Sequence, residues 1–108
     1  MHLFRVGPLP EEALAAAARF HGEVLPAVLA EAPQHILLVF DPADHTHRDW
    51  RLAAVRQLAR EQAPARVNAV VSDDEAAIAA AARYLASAEG VTGQLLPLDG
   101  IGAGALLH

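Results

Sequence analysis

The most polar stretch of the sequence, DHTHRDW, carries side chains that could bind a metal ion. His45 and His47 stand two residues apart, and Asp44 and Asp49 flank them. Neutral imidazole nitrogens and carboxylate oxygens are ordinary ligands of zinc, which can activate a water molecule in an open coordination position. With Asp41, these four residues are candidates for a small metal-dependent hydrolase or for a ligand-binding protein.

The order His-x-His-x-Asp resembles the opening of the metal-binding motif of metallo-β-lactamase-type zinc hydrolases. Trp50 stands where that family has a further histidine, and no later cluster of ligands follows. The chain of 108 residues is also too short for the two-sheet fold of that family. The stretch also fits a polar loop and helix start with Thr46 as N-cap. We favour this second interpretation, expect no bound metal, and keep the hydrolase as the alternative.

Composition narrows the class of protein. A chain of this length corresponds to one domain, residues 1–108. Hydrophobic residues make up 54% of it but aromatic ones only 5%, so the core must be aliphatic, which suits helices packed on a sheet. The net charge is −5 and the eight cationic residues are dispersed, so nucleic acid is not expected as a partner. Without a signal peptide or a membrane-spanning run, we expect a soluble, cytoplasmic protein with no membrane contact.

Apolar runs of strand length alternate with longer alanine-rich runs of helical length. The run HILLVF is continuously apolar, as in strands that are covered on both faces. Pro26 predicts a kink or a break in the first helix. Because crossovers that contain a helix join parallel strands, the pattern predicts an α/β fold with a four-stranded parallel sheet in the order 1-2-3-4. The predicted strands are 2–6, 35–40, 66–71 and 94–98, and the predicted helices are 11–31, 46–62 and 74–89.

Helix ends and turns give further predictions. Ser72 or Asp73 is expected to cap the third helix, and Gly90 to follow its last turn. A Gly-x-Gly-x-Gly sequence at 100–104 has no helix after it, as a phosphate-binding loop would require, and is interpreted as a tail.

Three stretches together resemble the short-chain dehydrogenase/reductase (SDR) family. They are AAVRQLAREQAPARVNAV at 53–70, ARYLASAEGVTGQLLPLDG at 82–100 and, more loosely, VLPAVLAEAPQHILLVFD at 24–41. The resemblance implies a partial Rossmann fold equivalent to the second half of an SDR, with helices on both faces of the sheet. It implies a last helix on the face opposite the others, whereas right-handed crossovers alone would place all helices on one face. Asn68 and Asp99 match signature positions and are expected to hydrogen-bond turns at strand ends.

The residues that the SDR reaction needs do not match. The family binds a nicotinamide nucleotide at a glycine-rich turn, which we do not find before His2, and uses a Ser and a Tyr-x-x-x-Lys pair. This sequence has no lysine, and Asp44 and Arg48 stand at the matching positions. The single tyrosine, Tyr84, falls on the last predicted helix. We therefore expect no catalytic residue, no cofactor-binding residue and no cofactor.

The resemblance also implies a mode of association. SDR subunits pair through the helices that correspond here to 11–31 and 46–62, and alanine-rich surfaces allow helices to approach closely. We expect a non-catalytic interaction or structural subunit that forms a homodimer or a higher homo-oligomer, or that pairs with a full-length SDR. The expected interface residues are Ala13, Ala16, Ala17, Phe20, Trp50 and Ala54.

Overall fold

The protein forms a single parallel sheet. The structure, a computed structural model, describes residues 1–31 and 34–98, so Asp99 and the glycine-rich tail lie outside the described residues. The predicted sheet is confirmed, because the four strands pair in parallel in the order β1-β2-β3-β4. The strands are β1 (His2–Arg5), β2 (Ile36–Phe40), β3 (Val67–Val71) and β4 (Leu95–Pro97).

The helices lie between the strands, as the alternating sequence pattern predicts. They are α1 (Ala13–Arg19), a π-helical turn (Phe20–Val24), α2 (Leu25–Ala30), α3 (Arg48–Gln62) and α4 (Glu75–Ser87). The kink or break predicted at Pro26 takes the form of a π-helical turn just before it, and the helical segment continues through Pro26. Pro26 has no N–H to donate to the carbonyl four residues earlier, and Leu25 donates instead to Phe20, five residues back.

Both faces of the sheet are covered. The five residues of β2 are all buried and alternate between two hydrophobic clusters. Ile36, Leu38 and Phe40 pack with the π-helical turn, α2 and α3, whereas Leu37 and Val39 pack with α4. The prediction that HILLVF is a central, doubly covered strand is confirmed.

The position of α4 distinguishes the family pattern from the general rule for crossovers. Every connection steps across the sheet in the same direction, because the strand order follows the chain. Ile78, Ala81 and Leu85 of α4 lie on the face opposite α3. The third connection therefore has the opposite hand to the first two, which the general rule makes right-handed. The placement that the SDR resemblance implies is confirmed.

The helix caps differ from those expected. The Asp44 side chain, not Thr46, caps the 3₁₀ turn His45–His47 that leads into α3. Asp74 caps α4 by accepting from the N–H groups of Ala76 and Ala77 at 3.0 and 3.4 Å. Ser72 instead accepts from the N–H of Asp74 at 3.0 Å. In both cases, the aspartate nearest the first free N–H groups is the cap.

The connection from α4 to β4 is tied to β3 by side chains. Buried Asn68 donates from Nδ2 to the Val91 carbonyl at 2.9 Å and accepts from the Gln94 N–H at 3.0 Å, which confirms its expected role in a turn. Arg66 donates to the carbonyls of Leu85 and Ala88, both at 2.7 Å, and so satisfies acceptors at the end of α4. This helix ends at Ser87, two residues earlier than predicted, and Gly90 is not in the left-handed conformation.

Candidate functional site

The loops that follow β1 and β2 enclose a cleft at the carboxyl end of the sheet. Ligands of open α/β sheets bind at this edge. The cleft has a volume of about 500 Å³ and is open to solvent. Gly7 turns the chain after β1 with a φ of +81°, a conformation that favours glycine. The cleft is lined by residues 7–11, residues 41–44, His47 and Arg51.

Asp44 is engaged in holding the start of α3. Its Oδ1 accepts from the Thr46 N–H at 3.0 Å and from the Thr46 hydroxyl. These bonds to Thr46 lower the pKa of Asp44 below the ordinary value of 3.8. The carboxylate therefore acts as a helix cap, with one oxygen already occupied.

His47 is a structural residue. It is 4% exposed, and its Nε2 lies 2.7 Å from the Glu11 carbonyl oxygen while its Nδ1 lies 3.2 Å from the indole nitrogen of Trp50. Because the carbonyl can only accept and the indole N–H can only donate, the ring is neutral and carries its proton on Nε2. Neither ring nitrogen has a lone pair available for a metal ion.

The four candidate metal ligands are thus not arranged as a metal site. His45 and Asp49 are exposed, His47 uses both ring nitrogens, and Asp44 caps a helix. Across residues 1–31 and 34–98, no group of three or more His, Asp or Glu side chains lies close enough to hold a metal ion. The HTH segment serves to fix the loop after β1 to the start of α3.

The positions that match the SDR catalytic pair offer different chemistry. Asp44 stands in place of the tyrosine, and Arg48 in place of the lysine is exposed in the first turn of α3. Tyr84 lies ten residues after the cap of α4, roughly 15 Å along a helix that starts at the carboxyl edge. It is 45% exposed on the other face of the sheet. No phenol therefore reaches the cleft from the part of the chain that the structure describes.

Arg51 is the unexpected residue of this edge. It is only 5% exposed, and its guanidinium carbon lies 4.6 Å from the centre of the Phe40 ring. Nη1 donates to the Asp41 carbonyl at 3.0 Å, while Nε is buried with no hydrogen-bond partner among residues 1–31 and 34–98. Burial lowers the pKa of Arg51 and the nearby charge of Asp41 partly opposes this effect.

The sequence does contain a signal for the burial of Arg51, in the spacing of the apolar residues of α3. The buried residues of this helix are Arg51, Ala54, Val55, Leu58 and Ala59, which share one side of the helix at spacings of three and four. An arginine at an apolar position of such a stripe either buries its guanidinium or extends its side chain past the stripe to reach solvent. From the sequence, the apolar spacing predicts a buried stripe of Leu52, Val55, Leu58 and Ala59, which begins one residue later, and Leu52 is only half-buried.

A second, smaller cavity lies on the other side of Arg51. Its volume is about 160 Å³, and its walls include Val71, Leu95 and Pro97 from β3 and β4. Arg48, Arg51 and His45 contribute the cationic or basic groups, and Asp44 contributes the one carboxylate. Arg51 thus lines both cavities at the carboxyl edge.

The expected interface residues need a correction. Ala16 and Phe20 are fully buried, and Ala54 is 6% exposed. Phe20 packs against the rings of Phe40 and Trp50, with centroid distances of 5.7 and 5.5 Å. These three residues pack inside their own chain and have no surface to offer a partner. Ala13, Ala17 and Trp50 are half-buried.

The outward side of the same helix is apolar. Leu14 is 81% exposed and Leu29 is 41% exposed. Ala15, Ala18 and Gly22 are exposed beside them, and we call these five residues the outer face. The segment Ala13–Ala30 is long and apolar enough to cross a membrane by length and composition, with 17% of it buried, although core helices of soluble proteins meet the same criterion.

Fold and site together define the class of protein: a half-Rossmann α/β domain whose carboxyl edge carries a buried arginine. A family model described as "SDR-like: Short chain dehydrogenase-like protein" matches residues 4–98. The chain belongs to this SDR-like family. Comparison with curated proteins and with solved structures found no match.

Proposed function

We propose that this SDR-like protein is a non-catalytic subunit that forms a homodimer through the outer face of α1 and α2. The observation that carries the proposal is the exposure of Leu14, 81%, on a helix whose other side already fills the core. A helix of a soluble domain needs only one apolar side to fold. The second apolar side is explained by a partner.

The residues around Leu14 suit a helix–helix contact. Ala15, Ala18 and Gly22 have small or no side chains, which lets two helix backbones approach closely. The segment Ala13–Ala30 spans about 27 Å at 1.5 Å per residue. A two-fold axis through its middle would place the same surface on both subunits, as in most homodimers. A second copy of this chain is therefore the partner we propose.

The charges on this segment do not oppose such a contact. Arg19 and Glu23 form an ion pair with each other at 3.3 Å, one turn apart. His21 bonds to the Ala17 carbonyl of its own helix at 2.8 Å. Each charge of the segment would therefore keep its counter-charge when the partner binds. An unpaired charge in a buried interface would be costly, and this contact avoids one.

The absence of SDR-type catalysis is part of the proposal. It is supported by Asp44 and Arg48 at the positions of the catalytic tyrosine and lysine, and by Tyr84 on the opposite face. Arginine does not replace that lysine, because its planar guanidinium differs in geometry and hydration from a compact ammonium group. Purified protein mixed with nicotinamide nucleotides and small ketones or alcohols should show no hydride transfer. Hydride transfer by the wild type that is lost in Asp44→Ala would contradict the proposed absence of catalysis.

The dimer is tested by sedimentation velocity and native mass spectrometry of the wild type and Leu14→Glu. We expect the wild type to be dimeric at micromolar concentration and the variant to be monomeric, with an unchanged circular dichroism spectrum. The matched control is Ala79→Glu, because Ala79 is exposed on α4, on the other face of the sheet. It should leave the dimer intact.

Two results would overturn the homodimer. One is a wild type that is monomeric up to about 100 µM, well above the concentrations at which specific dimers form. The other is a Leu14→Glu variant that stays dimeric. The Ala16→Glu and Ala54→Glu changes are unsuitable for this test, because both side chains are buried and the variants would unfold. A mixed complex with a full-length SDR in native extracts would replace the homodimer.

A further inference from the structure

Arg51 is a buried cation that forms no ion pair within the described residues, although the charge of Asp41 lies nearby. The ion pairs found there join His2 to Glu31, Arg5 to Glu75 and Arg19 to Glu23. Within the part of the chain that the structure describes, Arg51 has one hydrogen bond, to a neutral carbonyl, and a buried Nε with no partner. Burying a charge without an ion pair lowers the stability of a protein. The burial of Arg51 therefore needs an explanation other than stability.

We propose that the smaller cavity beside Arg51 binds a short-chain carboxylate. An anion there would form the ion pair that Arg51 lacks among the described residues and accept from its fork of N–H groups. This binding site is independent of the proposed dimer, since α1 and α2 contribute none of its lining residues.

Charge selects the smaller cavity over the larger one. The larger cleft places three carboxylates, those of Glu11, Asp41 and Asp44, around a single arginine, so it repels anions. The smaller cavity has two arginines and one aspartate, and that aspartate is already engaged by Thr46. An anion is therefore attracted to the second cavity and excluded from the first.

The remaining walls define the rest of the ligand. Val71, Leu95 and Pro97 present apolar surface opposite the arginines. A volume of about 160 Å³ suits a small ligand. A carboxylate with a short branched or linear aliphatic tail matches both the size and the two-sided character. A phosphate would place polar oxygens against the apolar wall.

The geometry of the guanidinium favours a carboxylate as well. Arginine presents parallel N–H groups that match the two oxygens of a carboxylate, and such bidentate, charge-assisted bonds are stronger than neutral ones. The guanidinium carbon lies over the Phe40 ring, 4.6 Å from its centre, and this contact helps to hold the group in place. Arg48, exposed at the rim, adds a second and more mobile positive charge.

The probe is 3-methylbutanoate, compared with its neutral analogue 3-methylbutanamide at equal ionic strength. Binding is followed by ¹H–¹⁵N correlation spectra, with affinities taken from titration. We expect 3-methylbutanoate to shift the backbone N–H signals of residues 43–51 and of Val71. We expect 3-methylbutanamide to bind at least tenfold more weakly, because it cannot form the charged hydrogen bonds to Arg51.

Arg51→Met is the decisive variant. Replacing an unpaired buried cation by an apolar side chain of similar length is expected to leave the fold intact or stabilise it, which circular dichroism verifies. Affinity for 3-methylbutanoate should fall by a factor of 10 to 100. Arg48→Gln provides a second variant at an exposed position, with an expected loss of roughly threefold to tenfold.

Arg56→Met is the matched control, because Arg56 is exposed on the same helix and lines neither cavity at the carboxyl edge. Its affinity should equal that of the wild type. The proposal is overturned if 3-methylbutanoate and 3-methylbutanamide bind equally, or if Arg51→Met binds the carboxylate like the wild type. It is also overturned if both probes have dissociation constants above about 50 mM, which would be too weak for a specific site. Leu14→Glu should retain binding, so failure of the dimer leaves this test unaffected.

Discussion

The two helical segments on one face of the sheet, α1–α2 and α3, differ on their outward sides. Both bury apolar residues against β2, with Phe20 from the first and Leu58 from the second. Outward, α3 exposes charged or polar residues such as Arg56, Gln57 and Glu61, whereas the segment Ala13–Ala30 exposes Leu14 and Leu29. The inward sides serve the fold in the same way. Of the two segments, only the first exposes large apolar side chains, Leu14 and Leu29, beside its charged residues.

Phe20→Ala is expected to have the largest effect on the inward side of the first segment. Phe20 is fully buried against Phe40 and Trp50, so the change should lower the free energy of unfolding by about 3–5 kcal/mol. Leu14→Ala, on the opposite side of the same segment, should change it by less than about 0.5 kcal/mol. Urea unfolding of dilute protein, followed by circular dichroism, measures both. Equal losses of unfolding free energy in Phe20→Ala and Leu14→Ala would show that the inward and outward sides contribute equally to folding, which would contradict the comparison.

Leu58→Ala tests the corresponding inward position of α3. Leu58 is 3% exposed within the same cluster, and its truncation should lower the free energy of unfolding by about 2–4 kcal/mol. Gln57→Ala, one residue earlier and exposed, is the control, with an expected change below about 0.5 kcal/mol. Thermal unfolding provides the measurement. A neutral Leu58→Ala would show that α3 is held mainly by other contacts.

The starts of the two segments sharpen the comparison through pH. Asp44 caps the approach to α3, whereas Glu12 makes no side-chain cap for α1. Because the pKa of Asp44 in the folded protein lies below its ordinary 3.8, its contribution to stability is complete above that value and is lost as the pH falls through the lower, folded value.

The corresponding measurement compares the wild type with Asp44→Asn in urea between pH 7 and pH 2. The wild type should be the more stable protein at pH 7, and its advantage should shrink as the pH falls below 3.8. Glu12→Gln should show no such change. A difference between wild type and Asp44→Asn that grows toward low pH would refute the assigned direction.

The smallest effect is expected from the ion pair on α1–α2. Arg19 and Glu23 are more than half exposed and lie 3.3 Å apart, so Arg19→Ala should lower the free energy of unfolding by less than about 0.5 kcal/mol. The residual difference should vanish in 1 M NaCl, which screens exposed charges. A loss of more than about 1 kcal/mol in the free energy of unfolding would contradict this prediction, because it exceeds what an exposed ion pair contributes.

Much of the fold could be predicted because strands and helices differ in length and because HILLVF is apolar throughout. The direction that α1 faces could not be predicted. A run of alanines has little contrast between its sides, so the pattern leaves the buried side undefined, and the expected interface wrongly includes Ala16 and Phe20. Docking of the Phe20 ring onto Phe40 and Trp50 decides the orientation, and that contact joins residues far apart in the chain.

The candidate site is less predictable than the fold. The HTH segment has the ligand types of a zinc site, but the Glu11 carbonyl and the Trp50 indole occupy both nitrogens of His47. Neither partner is visible in the spacing of the motif. Arg51 is not among the predicted site residues because the predicted buried stripe of α3 starts one residue too late, at a helix end where apolar residues are sparse.

The attachment of the α4–β4 connection to Asn68 has a consequence for local opening of the protein. The N–H groups of Gly93 and Gln94 donate to the Val67 carbonyl and to the Asn68 side chain, and the Val67 N–H donates to the Thr92 hydroxyl at 3.1 Å. These amide protons depend on one another across the strand and the turn. In deuterated water, they should exchange together, at the rate at which β4 detaches from β3.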